Sequence, residues 1–144
     1  MKLVVDANIL VAELTRKRGR ILIADSKLEL FIAEKPWEEV RHELRKRFVI
    51  IAERKGATSQ EASELYKAAI MLASVNVQVM PVSYYVSLEK SAKRRIPRDP
   101  DDWHSVALAL VLNADIWTQD NDFLGCGVAT WTTDTLIEQL HQSE

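Results

Sequence analysis

The apolar residues of this chain recur with two spacings that alternate along its length. Residues 2–5 (KLVV) form a short apolar run, and the DANIL that follows opens a helical stretch reaching about residue 17. A second short helix is expected from about residue 20 to residue 26. LELFIA at 28–33 reads as a strand, with Leu28, Leu30 and Ile32 alternating against Glu29 and Phe31. Pro36 stands where the first turn of a helix accepts it, and Trp37, Val40, Leu44 and Phe48 keep helical spacing in a long amphipathic helix to about residue 55. Gly56 stops that helix. The run Thr58-Ser59-Gln60-Glu61 is a capping box that opens the next helix, which carries Ala62, Leu65, Ala69 and Leu72 toward a core.

VQVMPV (77–82) predicts a third strand, followed by a helix from about residue 83 to residue 94 that ends before Pro97. DPDDWHSVALALVLN (99–113) predicts a capped helix with Asp101 as the cap. ADIWTQ (114–119) predicts a strand with Ile116 buried, GVATW (127–131) a last short strand, and a closing helix starts near Thr133. Strands that alternate with helices imply an α/β fold: a three-layer α/β/α sandwich around a central, mainly parallel sheet of about four to five strands. Right-handed crossovers then bring every strand-to-helix turn to one edge of the sheet.

Composition adds limits. A length of 144 residues with no repeat and no linker implies a single domain over residues 1–144. Its lone cysteine, Cys126, has no partner for an internal bridge, and no uncharged apolar run is long enough for a membrane span or a secretion signal. A cytoplasmic protein with no membrane attachment is expected. The net charge of −2 conceals an asymmetry. Residues 1–98 hold 19 basic and 12 acidic residues, whereas residues 99–144 hold 9 acidic residues and no Lys or Arg.

The acids are the candidate chemistry. Asp6 ends the first strand, Asp120 and Asp122 follow the strand at 114–119, Asp102 lies at a helix start, and Glu39 lies near the start of the long helix. Four chain segments thus bring a carboxylate to the edge where open α/β sheets bind ligands. Singly, each acid also reads as a helix cap, a turn residue or a solvated side chain. Glu39 is favoured over Glu38, turned about 100° away, and over Glu43, about 6 Å deeper into the helix. Glu43 and Asp99 remain the alternatives to a named ligand. Crowded carboxylates stay ionised only with a cation between them or with water screening them. Oxygen ligands without histidine suit a hard divalent cation such as Mg²⁺ and suggest phosphodiester hydrolysis rather than zinc chemistry. His42, His104 and His141 lack metal-site spacing. Lys90, Lys93, Arg94, Arg95 and Arg98, just before the acids, read either as phosphate contacts or as a solvated face. The same holds for Arg41, Arg45, Lys46 and Arg47. Trp103 is the aromatic placed for base stacking, while Trp37, Trp117 and Trp131 fit core positions.

These residues together resemble the PIN-domain family of metal-dependent ribonucleases, which includes toxins of the VapC type. The likeness runs through VVDAN (4–8), EEV (38–40), RDPDDWHSVALAL (98–110), TQDNDFL (118–124) and GVATWT (127–132). It implies a Mg²⁺ or Mn²⁺ site made of Asp6, Glu39, Asp102 and Asp120, with Asp122 as an extra acid and Asn8 and Thr118 in support. It further implies an endoribonuclease that leaves 3'-hydroxyl and 5'-phosphate ends, the toxin of a type II toxin–antitoxin pair with RNA as substrate and an antitoxin protein as partner. Exposed apolar positions on the helices at 35–74 would serve that partner or a homodimer. The competing reading is a catalytically silent PIN-like module that binds RNA or protein. A phosphoryl-aspartate protein fits less well, because the first strand ends D-A-N rather than D-x-D and no lysine follows Arg98.

Overall fold

A computed structural model describes residues 1–142, so the last two residues of the expected span lie outside it. Five strands, β1 (Lys2–Val5), β2 (Glu29–Ala33), β3 (Val77–Met80), β4 (Asp115–Trp117) and β5 (Thr130–Trp131), pair in the order β3-β2-β1-β4-β5. Every neighbouring pair is parallel. The helices are α1 (Ala7–Leu14), α2 (Lys17–Ile23), α3 (Glu34–Arg54), α4 (Ser59–Asn76), α5 (Glu89–Arg95), α6 (Trp103–Leu112) and α7 (Thr133–Gln142).

The strand sequences explain the layers. Leu3 and Val5 of β1, with Leu30 and Ile32 of β2, face a core completed by α1, α2, α3, α4 and α7. Val4, Phe31 and Ile116 face the opposite side and pack against α5 and α6. A parallel sheet covered on both faces needs continuous apolar strands rather than alternating ones. Phe31, expected on the polar side of an alternating strand, is accordingly buried.

Local chemistry moved several boundaries. The first helix stops at Leu14, not near residue 17, because the Thr15 hydroxyl turns back to the Ala12 carbonyl at 2.7 Å and Arg16 is extended before α2 begins. Residues 83–94 are two 3-10 turns (Val82–Tyr84 and Val86–Leu88) and then α5, since Tyr85 leaves the helical path to bury its ring. The predicted capping box at Thr58 is present with both reciprocal hydrogen bonds. Thr58→Ala is expected to cost about 1 kcal/mol, read as a lower midpoint in urea unfolding. Leu65 is exposed rather than inward, because α4 meets α3 through Ala62, Ala69 and Ala73 and the larger side chain lies off that stripe. No helix among the described residues is long and apolar enough to cross a membrane.

Candidate active site

The chain runs from β1 outward to β2 and β3, then crosses back to place β4 on the other side of β1. The switch in direction falls between β1 and β4, where an open parallel sheet leaves a crevice at its carboxyl edge. Both strands end there in polar residues. Val5 lies opposite Trp117 in the ladder, so one step further sets Asp6 beside Thr118.

That register fixes a chain of hydrogen bonds. The Asp6 amide donates to the Trp117 carbonyl at 3.0 Å, and the Thr118 hydroxyl donates to the Asp6 carboxylate at 3.0 Å. The Thr118 oxygen accepts from the Asp120 amide at 2.9 Å, and the Asp120 carboxylate accepts from the Asp122 amide at 2.9 Å. Asp6 stands at the N-cap position of α1 without a side-chain capping bond to its first turn, though the Ala7 amide at the start of that helix also favours its charged form. A cleft of about 360 Å³ opens over this chain, lined by Asp6, Asn8, Ile9, Ala12, Gln119 and Asp120. Gln119 was not among the predicted site residues.

Electrostatics draw in the other acids. Burial, opposed by the Thr118 hydroxyl and reinforced by the Asp120 and Glu39 charges, pushes Asp6 up to about 6. Burial and the neighbouring Asp99, with Asp6 and Asp120, push Asp102 up to about 7. Glu39, exposed at the start of α3, is raised by desolvation, with Asp99 and Glu43 adding to the rise and Lys35 opposing it. The four predicted acids are thus linked through Asp6, which feels Asp120 and Glu39 and bears on Asp102. Asp99 lies among them. The signal for it was its place three residues before Asp102, across the 3-10 turn Pro100–Asp102 that replaces the start of the predicted helix. That turn puts Asp102, not Asp101, at the cap position of α6, without a side-chain capping bond.

Other predicted residues are placed differently. Trp103 is 7% exposed and stacked on His104, so it offers no open face to a base. Lys93 pairs with Glu89 at 2.9 Å, and Arg95 donates to the Cys126 carbonyl at 2.9 Å. Lys90, Arg94 and Arg98 are exposed.

The donor set is entirely oxygen, which suits a hard divalent cation. Among the described residues no three acidic, histidine or cysteine side chains converge on one ion position. Mg²⁺ keeps several waters and is usually held by one or two carboxylates, so such an ion would not need three converging side chains.

A family profile described as PIN domain matches residues 4–141. The chain belongs to the PIN-domain family. No curated protein matches it. A crystal structure of FitAcB from Neisseria gonorrhoeae has the same fold, with a TM-score of 0.56 at 15% identity, covering 90% of this chain and 96% of that one. The sandwich of this PIN domain thus agrees with the α/β fold expected from its strand and helix spacing.

The raised acids give the PIN domain a particular pH response. A carboxyl that holds its proton more tightly when folded contributes stability at low pH and loses it as pH climbs through the folded value. For Asp6 the loss runs from about pH 4 to about pH 6 and amounts to about 3 kcal/mol, and Asp102 extends it toward pH 7. In chelator, this contribution to the melting temperature is expected to fall across that window, and Mg²⁺ is expected to raise it at pH 7.5 but hardly at pH 4.5. Equal Mg²⁺ stabilisation at both pH values would contradict the assignment.

Proposed function

We propose that this PIN domain is a Mg²⁺- or Mn²⁺-dependent endoribonuclease that hydrolyses RNA phosphodiester bonds, and that it is the toxin of a type II toxin–antitoxin pair acting in the cytoplasm. One observation carries the reading: buried Asp6, fixed by Thr118 at the switch point of the sheet, feels the charges of Asp120 and Glu39 and bears in turn on Asp102. Asp6, Glu39, Asp102 and Asp120 would hold the ions, with Asp122 as a further carboxylate. Bound divalent cations supply a lowered pKa for the attacking water and charge neutralisation at the reacting oxygens.

The side chains set the geometry of that chemistry. Thr118 orients Asp6 with its hydroxyl proton while its oxygen holds the Asp120 amide, so one residue locks both acids. Asn8, at the mouth of the cleft, is placed to support the site or the incoming strand. Lys90, Arg94 and Arg98, with Lys93 and Arg95 beside them, are suited to the RNA backbone, where phosphate contacts give affinity without sequence preference. Exposed Val49 and Ile50 of α3, with Leu65 and Met71 of α4, are the apolar surface for an antitoxin or a second copy.

The test is cleavage of varied RNAs with Mg²⁺ or Mn²⁺, with chelator, and by Asp102→Asn. Metal-dependent cleavage that falls about a hundredfold or more in the variant supports the reading, since losing one ligand removes several kcal/mol of transition-state stabilisation. An inert wild type that still retains RNA would instead favour the silent binding module.

A further inference from the structure

The outer face of α3 carries a second polar cavity, which shares no lining residue with the cleft over Asp6. Its volume is about 240 Å³, and Glu38, Arg41, His42 and Arg45 of α3 line it together with Tyr66 of α4. Those four α3 positions are spaced i, i+3, i+4 and i+7, so they share one face of the helix. The Arg45 guanidinium carbon lies 4.5 Å from the centre of the Tyr66 ring, a cation–π contact that ties the two helices. A guanidinium held on an aromatic face keeps N–H donors free for an acceptor. Arg41, His42 and Arg45 make no ion pair among the described residues, whereas Lys46 on the same helix pairs with Glu43 at 3.7 Å. Two guanidiniums and an imidazole thus border one open space, against the single carboxylate of Glu38.

The lining selects an anion. It holds no aliphatic residue, which suits a phosphate better than the apolar face of a peptide helix. Guanidinium groups match phosphate oxygens with paired, charge-assisted hydrogen bonds. Position adds a direction to that preference. The helix α3 starts where β2 ends, at the carboxyl edge of the sheet, and Glu38 directly precedes Glu39. From Glu38 to Arg45 the helix rises about 10 Å, so the cavity leads away from the candidate ligand Glu39 along one element. A nucleic-acid strand with its reacting phosphate at the carboxylates would meet this cavity with a neighbouring stretch of backbone.

We propose that Arg41, His42 and Arg45 hold the phosphate backbone of RNA beyond the cleavage position, with Tyr66 as the residue that positions Arg45. The choice of RNA rests on the nuclease reading, but binding tests the site without cleavage. Short fluorescent single-stranded RNAs are titrated by anisotropy at several salt concentrations in Ca²⁺, and cleavage is measured separately in Mg²⁺. Arg41→Ala and Arg45→Ala, both at exposed positions, are each expected to lower the slope of log affinity against log salt by about 0.7, the share of one phosphate contact on a single strand. Lys55→Ala, at the far end of α3 and outside the cavity, is expected to leave the slope unchanged. Tyr66→Leu keeps both charges but releases Arg45, so affinity is expected to fall about threefold at an unchanged slope. Glu38→Gln is expected to tighten binding about twofold. In cleavage the arginine losses are expected in KM rather than kcat. Unchanged slopes in both arginine variants, or an equal drop in Lys55→Ala, would overturn the site. So would a glutamate-rich peptide that binds through Arg41 and Arg45 when RNA does not. Absence of cleavage with the binding differences intact would overturn the nuclease reading and leave the site standing.

Discussion

Asp6→Asn is expected to lose metal-dependent RNA cleavage about a thousandfold while melting at a higher temperature than the wild type at neutral pH. The first effect follows from position: Asp6 is 8% exposed, at the centre of the rim, and fixed by Thr118. Removing a carboxylate that holds the ions forfeits several kcal/mol at the transition state, and each 1.4 kcal/mol is about tenfold. The second effect has the opposite sign. Above about pH 6 the folded protein carries a buried charge that it resists, and an amide of nearly the same shape removes that cost. Thr118 can still donate to the amide oxygen. The gain is up to about 3 kcal/mol, or several degrees at about 2–4 °C per kcal/mol. Circular dichroism melts beside a cleavage assay check both. A variant that is inactive because it is unstable would contradict the assignment as clearly as one that remains active.

Gly19→Ala is expected to destabilise the fold by about 3 kcal/mol or more, lowering the melting temperature by about 10 °C. Gly19 lies in α2 where that helix passes over the end of α1, and a methyl group there would overlap the carbonyl oxygen, the Cβ and the carboxylate of Glu13. Backbone atoms cannot rotate away, so the helices must separate. Glu13 is fully buried, accepts from Arg16 at 3.3 Å and from Thr133 at 3.4 Å, and has one carboxylate oxygen without a partner. A buried carboxylate tolerates little displacement, because each lost contact leaves charge uncompensated. Gly19→Ser is expected to behave likewise. A melting temperature unchanged in both would mean that the helices give way at little cost.

The sequence carried the β1–α1 junction at Asp6, the order of strands and helices, and the capping box at Thr58, because each depends on neighbours within a few residues. It also carried the placement of Asp6 and Asp120 just beyond the ends of β1 and β4, because a parallel sheet delivers its strand ends to one edge. Features that depend on distant partners were not legible. Gly19 reads as an indifferent residue in a short helix until Glu13 is seen beneath it. Leu65 keeps helical spacing with Ala62 and Ala69, yet the fully buried positions of α4 are alanines and Leu65 lies exposed. Trp103 sits next to Asp102 in sequence, and only the buried Tyr85 shows that its ring is committed inward. Asp99 stands in the sequence only as an alternative ligand, and the tight turn after it brings its charge onto Asp102.

The hydrogen bond between Asp6 and Thr118 joins residues 112 apart in the chain. Asp6 is made before its partner, which follows only after about 6 to 20 seconds of synthesis at typical rates of 5–20 residues per second. A fragment that stops before β4 lacks Thr118, Gln119 and Asp120, and with them one wall of the cleft. A growing chain therefore carries no complete site until β4 and the residues just after it have been made.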